Sequence, residues 1–282
     1  MGVHQYLLHG FASFAAQRGE THIRSRTAIE WAAQAPSEGQ RANRLGILRP
    51  FARFARAEDA DHEVPAGRVF QARRVHYCPF IFTPDRLHEL LVRASKLTPV
   101  GSIRPWTFTT LFSVLAVTGL RISEALNLRL HDITEDGLVI RETKFRKSRL
   151  VPLHPTTMLG LKRYLEHRGA ADDDHLFLSL RGRGIRYSGV VAVFLRLVRA
   201  MGIHPGPGQR GPRVHDLRHG FAIRVIESCP GDRTVVDANI VALMTYMGHS
   251  QIDSTYWYLH ATPHMLARIS EMAEASTEGG RS

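Results

Sequence analysis

Two short extended segments interrupt an otherwise helical chain, and this interruption is the feature that most constrains the fold. Residues 138–142 and 148–153 are rich in Leu, Val and Ile, and the polar turn 143–147 separates them. Two such runs joined by a short polar turn predict a β-hairpin. Most of the remaining chain carries apolar residues at helical spacing. The sequence therefore predicts a mainly α fold with a small β-sheet, which is the α+β class.

The helices beyond residue 82 have clear beginnings and ends in the sequence. Thr83 can cap a helix that is entered through Pro84. An apolar helix over 105–117 ends at Gly119, and a new helix starts just after it. Helical patterns also cover five later segments, namely 155–167, 188–201, 215–228, 233–247 and 263–275.

The N-terminal part also has a helical pattern, over 4–17, 24–35 and a third segment that Ser37 can cap. The third helix has an apolar series of Leu45, Leu48, Phe51 and Phe54. Its other faces carry a row of arginines that suits phosphate contacts, although such a row is more often simply solvated: Arg41, Arg44, Arg49, Arg53 and Arg56.

A change of composition divides the chain into two predicted domains. Residues 59–82 hold Pro65, Gly67 and Pro79 with little periodicity, and we interpret them as a linker. The prediction is a helical domain over 1–58 and a larger domain over 83–282.

The charge balance favours a polyanionic partner. Lys and Arg total 37 against 26 Asp and Glu, which gives a formal net charge of +11. A 44% hydrophobic content with 22% charged residues is typical of a soluble globular protein, and no apolar stretch is long enough to cross a bilayer. The two isolated cysteines indicate a reducing compartment.

Several basic side chains stand where an anion could bind. Arg121 follows Gly119 at the start of a helix, where backbone donors favour an anion. A lone arginine there is more often a surface ion pair, and Lys144 in the polar turn could simply be solvated. His215 and Arg218 lie one turn apart on one helical face, and both can donate to phosphate oxygens.

A candidate nucleophile follows near the end of the chain, where Gly248-His249-Ser250 precedes Tyr256-Trp257-Tyr258. Tyrosine is a weak nucleophile at neutral pH because its pKa lies near 10. Arginines around a phosphate favour the phenolate and stabilise the transition state. These residues together supply the nucleophile, the positive clamps and the proton donors that metal-free phosphoryl transfer needs.

In this order, the motifs resemble those of the phage integrase, or tyrosine recombinase, family over about residues 84 to 262. The matching segments are TGLRISEAL at 118–126, TKFRKSRLVPL at 143–153, HDLRH at 215–219, GHS at 248–250 and the tyrosine nine residues after its histidine. The resemblance implies six catalytic residues: Arg121, Lys144, His215, Arg218, His249 and Tyr258. Tyr256 occupies a place where the family varies, so it ranks below Tyr258.

The resemblance implies a core-binding-like N-terminal domain, a catalytic C-terminal domain and a site-specific recombinase of the bacterial cytoplasm. Arg121 and Arg218 would bracket the scissile phosphate of double-stranded DNA, and Tyr258 would attack it to form a 3′-phosphotyrosyl link. Lys144 would protonate the leaving 5′ oxygen, His215 would assist proton transfer and His249 would hold a phosphate oxygen. No metal or nucleotide cofactor is needed. Four protomers would act together on two DNA sites, without a membrane.

Two other functions remain open from the sequence. One is a non-catalytic DNA-binding accessory protein with the same fold, and the other is a type IB topoisomerase-like nicking-closing enzyme. The segment STYWYLHATP at 254–263 and the short N-terminal domain favour a recombinase of a mobile element. The amphipathic segment after Pro263 could dock onto a neighbouring protomer or pack in cis, and both interpretations stay open.

Two further patterns are interpreted as misleading. Residues 206–211 match GxGxxG, but prolines interrupt them and no strand–turn–helix unit surrounds them, so a loop is predicted. His215 and His219 have the i, i+4 spacing of some zinc sites. No Glu follows His215 as in HExxH, so we predict no metal site there.

Overall fold

The structure of the protein is a computed structural model, which describes residues 3–71, 79–141, 148–206, 211–228 and 233–248. It divides into two compact units, Met1–His76 and Tyr77–Ser282. The predicted turn 143–147, most of the GxGxxG loop and the predicted helix 263–275 lie outside the described residues. Among the described helices, none has both the length and the apolar character needed to span a membrane.

The described part of the first unit contains three helices: α1 (Val3–Ala16), α2 (Ser25–Ala33) and α3 (Glu38–Glu58). The Ser37 hydroxyl accepts a hydrogen bond from the backbone N–H of Gln40 at the start of α3, as the predicted cap requires. The helices share a small core of buried residues: Phe11, Ala15, Ile23, Ala28, Trp31, Ala32, Leu45, Leu48 and Ala52.

Helix α3 buries only part of its apolar series. Leu45, Leu48 and Ala52 are buried, whereas Phe51 is 44% exposed and Phe54 is 64% exposed. Positions i, i+3 and i+7 share one helical face, and residues 51 and 54 are rotated away from it. The predicted helix is confirmed, and its apolar series is divided between a buried part and two exposed phenylalanines.

Three arginines of α3 bind backbone carbonyl groups of their own unit. Arg41 donates to the carbonyl of Ala35 at 2.8 Å, Arg44 to that of Trp31 at 2.9 Å and Arg49 to that of Pro65 at 2.9 Å. Arg53 and Arg56 are exposed. The arginine row is therefore divided between internal contacts and an exposed part near the end of the helix.

The first half of the segment predicted as a linker packs onto the first unit. The backbone N–H of Glu63 donates to the carbonyl of Ile23 at 2.8 Å, and the Glu63 carboxylate accepts the backbone N–H of Ser25 at 2.8 Å. Val64 and Phe70 pack against the core of this unit. Residues after α3 thus complete the N-terminal fold.

Helix α5 (Ile103–Thr118) is the central element of the second unit. It packs against α4 (Pro84–Ser95), α7 (Pro155–Arg168) and α9 (His215–Glu227). Its first turn starts two residues before the predicted position because the Ser102 hydroxyl caps it. Eight of its residues are buried: Thr107, Phe108, Leu111, Phe112, Val114, Leu115, Ala116 and Thr118.

The sheet has three antiparallel strands in the order β1 (Ile133–Thr134), β2 (Gly137–Ile140) and β3 (Arg149–Pro152). Leu138 of β2 faces Val151 of β3, and both are fully buried. The short helix α6 (Ile122–Asn127) and a 3-10 turn at Leu130–Asp132 precede the sheet. Strand β1 was not predicted because two residues are too few to show alternation. The predicted hairpin strands are confirmed.

The remaining helices are α8 (Tyr187–Ala200) and α10 (Arg233–Met247). Helix α9 packs against both α5 and α10. Its contact with α10 is made by a cluster of buried side chains: Ala222, Ile223, Ile226, Leu243 and Met247. Through α9, the C-terminal ends of α5 and α10 are brought to the same region of the unit.

Gly119 ends α5 in a left-handed conformation, with a φ of 62°. A Cβ atom at this position would lie 2.4 Å from Cδ1 of Phe221, which is far inside van der Waals contact. We expect Gly119→Ala to lower the free energy of unfolding by about 1–3 kcal/mol, because the backbone strain and the clash add. Chemical denaturation measures this change.

The matched control is Gly160→Ala in α7. A Cβ atom there meets open space, so the same substitution should raise the free energy of unfolding by about 0.5–1 kcal/mol. Equal effects of the two substitutions would contradict the assigned role of Gly119.

Candidate active site

The two predicted catalytic arginines converge on the end of α10. Arg121 Nη2 donates to the carbonyl oxygen of Gly248 at 2.7 Å, and Arg218 Nη2 donates to that of Met247 at 2.8 Å. Arg121 lies between α5 and α6, whereas Arg218 lies on α9. Three sequence motifs that are far apart in the chain thus meet immediately before His249.

Arg218 is buried, with 2% of its surface exposed. Its Nη1 atom donates to the carbonyl oxygen of Gly119 at 2.5 Å, so the guanidinium joins the C-terminal ends of α5 and α10. The C-terminal end of a helix carries partial negative charge and carbonyls that have no partner within the helix. The two helix ends therefore stabilise a cation that would be costly to bury alone.

Arg121 is held by Glu124. The Arg121 Nη1 atom donates to Oε1 of Glu124 at 2.8 Å, and the Arg121 backbone N–H donates to Oε2 at 2.9 Å. The second bond also caps the start of α6, since a Glu at the third helical position reaches back to the capping residue. About a third of the Arg121 side chain remains exposed, so its guanidinium is accessible from solvent.

Glu124 also binds Arg149, which begins β3. Arg149 donates from Nη1 to Oε1 at 3.1 Å and from Nη2 to Oε2 at 2.8 Å. Burial by itself would raise the pKa of Glu124, but the hydrogen bonds from Arg149 and from the Arg121 backbone outweigh it, and the pKa lies below its usual value. The Glu124 carboxylate is therefore ionised at neutral pH.

Neither Glu124 nor Arg149 was assigned a role from the sequence. The spacing of Glu124 from the start of α6 is that of a capping residue, and this signal could have found it. Arg149 lies 25 residues from Glu124. Only the pairing of β2 with β3 and their packing beside α6 brings the two together, and no local pattern encodes that.

His215 is the first residue of α9 and is exposed to solvent on one side. Its ring lies 4.6 Å from that of His219, in an edge-to-face arrangement. Desolvation by the surrounding protein, followed by the charges of Arg218, Arg213 and Arg121, lowers the pKa of His215 to about 4. His215 is therefore a neutral imidazole at neutral pH, able to accept a proton.

A titration of His215 by NMR should have its midpoint near pH 4 in the DNA-free protein. Because the pKa is lower in the folded than in the unfolded state, the unfolding free energy rises with pH between about 4 and 6.5 and falls as the pH drops. Solvent exposure keeps this contribution small. His215→Gln identifies the resonance, and a midpoint at or above 6.5 would contradict the assigned charge environment.

The other predicted site residues, Lys144, His249 and Tyr258, lie outside the described residues, as does Tyr256. In the sequence Lys144 falls between β2 and β3, and His249 directly follows Gly248. The described part of the site thus contains Arg121, His215 and Arg218 of the six predicted residues.

Two groups of described residues could each place three ligand atoms around a metal ion: His22, Asp59 and His62, and Asp173, Asp174 and His175. Both groups have internal hydrogen-bond partners. His62 Nδ1 accepts the backbone N–H of Ile23, and the Asp173 carboxylate accepts the backbone N–H groups of His175 and Gly184. These contacts give both groups a structural role: the first joins the segment before α2 to the segment after α3, and the second holds the loop over 173–184.

Comparison with known proteins identifies the family. The sequence signature of the phage integrase family matches residues 82–265. The chain belongs to this family. It is 34% identical to y4rB of Sinorhizobium fredii, named as an integrase/recombinase, over 95% of this chain and 89% of that protein. The predicted family and the predicted enzyme class, a tyrosine recombinase that breaks and rejoins DNA, are confirmed.

Solved structures show the same fold. The site-specific recombinase XerH, bound to palindromic difH substrate, gives a TM-score of 0.68 at 18% identity, covering 96% of this chain and 78% of that one. The integrase of transposon Tn1549, in complex with transposon right-end DNA, gives 0.64 at 19% identity, covering 96% and 99%. The predicted α+β fold class is confirmed.

Proposed function

We propose that this chain is a site-specific DNA recombinase that acts through a 3′-phosphotyrosyl intermediate. The observation that carries the proposal is the convergence of Arg121 and Arg218 on the two carbonyls directly before His249. A pair of guanidinium groups at one point suits a phosphate group, to which both can donate. The chain's net charge of +11 supports DNA as the partner.

In the proposed reaction, Arg121 and Arg218 hold the scissile phosphate and stabilise the charge that develops on its oxygens. The Tyr258 oxygen attacks the phosphorus atom. A tyrosyl O–P bond forms and the P–O5′ bond breaks, which leaves the 3′ end on the protein. Attack by a 5′-hydroxyl of the partner strand reverses these changes. The energy of the phosphodiester is kept in the intermediate, so nucleotide and metal cofactors have no role in the scheme.

Three further residues move or hold protons. Lys144 gives a proton to the leaving 5′ oxygen, and His249 donates a hydrogen bond to a phosphate oxygen. His215 assists proton transfer, and its low pKa keeps it neutral and able to accept a proton at neutral pH. Each of these roles is carried over from the family motif to the matching residue of this chain.

The proposed biological setting is a mobile element in the bacterial cytoplasm, with four protomers joined on two double-stranded DNA sites. The similarity to an integrase/recombinase and to a transposon integrase supports integration, excision or transposition. The exposed Arg53 and Arg56 of α3 suit contacts with the DNA backbone in the N-terminal unit.

Covalent capture tests the proposal. The protein is incubated, without divalent metal or nucleotide, with nicked duplexes from the ends of its host element, and denaturing gels separate protein–DNA adducts. We expect an adduct whose DNA has a free 5′-hydroxyl and a 3′ end blocked by protein. Mass spectrometry of the digested adduct should locate the nucleotide on Tyr258.

The same experiment separates the alternatives. Specific binding without an adduct at a verified site would support the accessory DNA-binding function. Relaxation of a single supercoiled plasmid, without joining of two DNA molecules, would support the topoisomerase-like function. Loss of the adduct on addition of a chelator would contradict the metal-free mechanism.

A further inference from the structure

Arg149 is fixed next to the site by contacts that the proposed chemistry does not use. It begins β3 and pairs with Ile140 of β2. Its guanidinium spans both oxygens of Glu124, and the two side chains are only 15% and 9% exposed. A bidentate pair of this kind fixes direction as well as distance, so Glu124 is held in one orientation.

The carboxylate of Glu124 is shared between two arginines. It accepts two hydrogen bonds from the Arg149 side chain, one from the Arg121 side chain and one from the Arg121 backbone. An ionised carboxylate has about four lone-pair sites. The four contacts therefore satisfy it, and Arg121 engages it through only one side-chain nitrogen.

Both arginines also border Gly248. A Cβ atom at Gly248 would lie 3.1 Å from Nη1 of Arg149 and 3.5 Å from Nη1 of Arg121. Gly248 has a φ of 66°, which favours glycine, and the missing side chain leaves room for the two guanidinium groups. Arg149 thus approaches the residue that precedes His249 in the chain.

We propose that Arg149 is a positioning residue that keeps Arg121 available to the scissile phosphate. This inference rests on the proposed function. Arg149 occupies one side of Glu124 and offsets its charge. Arg121 therefore uses a single nitrogen for Glu124, and the donors that bind neither Glu124 nor the Gly248 carbonyl remain for DNA, together with its charge. Without Arg149, the Glu124 carboxylate turns towards Arg121, binds it through both oxygens and neutralises it.

The test compares single-turnover cleavage of nicked DNA by the parental protein, Arg149→Met, Arg149→Lys and Glu124→Gln. We expect Arg149→Met to lower the cleavage rate roughly tenfold to a hundredfold, the range found when partners of metal ligands are removed. The Kd for DNA should change by less than about threefold, since Arg149 itself does not bind the phosphate. Lysine keeps the charge but not the bidentate geometry, so Arg149→Lys should recover part of the rate.

A double-mutant cycle distinguishes positioning from a separate role. If Arg149 acts through Glu124, Arg149→Met lowers the rate much less in the Glu124→Gln background than in the parental protein. If the fold-losses in cleavage rate of the two single variants multiply in the double variant, the proposal is overturned. A parental cleavage rate for Arg149→Met alone would also overturn it. Circular dichroism confirms that each variant is folded at the assay temperature. If Arg149→Met does not fold, the cycle is run with Arg149→Lys.

Arg93→Met is the matched control, since Arg93 binds Glu89 at 2.9 Å on the surface of α4, away from the site. Arg93→Met should cleave at the parental rate. If its cleavage rate falls as far as that of Arg149→Met, the specific role of Arg149 is overturned. Failure of the proposed function is recognised separately, because the parental protein would then form no adduct at all.

Discussion

Tyr258→Phe is expected to form no covalent adduct with nicked DNA while binding it with nearly unchanged affinity. The substitution removes only the phenolic oxygen, which is the atom that would bond to phosphorus in the proposed reaction. Phenylalanine keeps the ring, so packing and DNA contacts should persist. Adduct formation is measured on denaturing gels and binding by fluorescence anisotropy, at equal protein concentration.

Two other tyrosines provide controls. Tyr256→Phe should retain the adduct because Tyr256 lies two residues from the family's nucleophile position. Tyr246 is a structural control because its ring stacks on Phe221. Burial raises the pKa of its phenol, although the charges of Arg149 and Arg218 act in the opposite direction. Tyr246→Phe should also retain the adduct. An adduct that survives in Tyr258→Phe and disappears in one of the other two variants would move the nucleophile to that residue.

The helices and the arginine positions could be predicted because their signals are local. Gly119 marks the end of α5 through its backbone conformation, and the one-turn spacing of His215 and Arg218 on α9 follows from helical geometry alone. The family motifs then indicated which of the many arginines to single out. The structure brings two of them, Arg121 and Arg218, together at the carbonyls of Gly248 and Met247.

Features that depend on tertiary packing were not predicted. The exposure of Phe51 and Phe54 is set by which face of α3 meets the other helices, and apolar spacing left that face ambiguous. The pairing of Arg149 with Glu124 depends on the register of β3 beside α6. Similarly, the low pKa of His215 comes first from desolvation by the surrounding protein and then from the charges of Arg218, Arg213 and Arg121. The desolvation depends on what packs around the ring, so the direction of the shift could not be known from the sequence.

Arg218→Ala is expected to lose both chemistry and stability, because one guanidinium serves both. Removing it leaves the buried carbonyls of Gly119 and Met247 without this donor, at a cost of about 2–5 kcal/mol in the free energy of unfolding. Loss of a preorganised donor to the reacting phosphate should lower cleavage by a further factor of about 10²–10³. Denaturation measures the first effect and single-turnover cleavage at low temperature measures the second.

Arg224→Ala separates these two effects because Arg224 makes the same kind of contact on the same helix. Its Nη2 atom donates to the carbonyl of Ala116 at 2.7 Å, in the last turn of α5. Its removal should lower the free energy of unfolding by about 1–3 kcal/mol while cleavage in the folded protein persists. Arg218→Ala must fall far below Arg224→Ala in cleavage rate when both variants are folded. Equal rates would show that Arg218 only ties α5 to α10 and does not hold the phosphate.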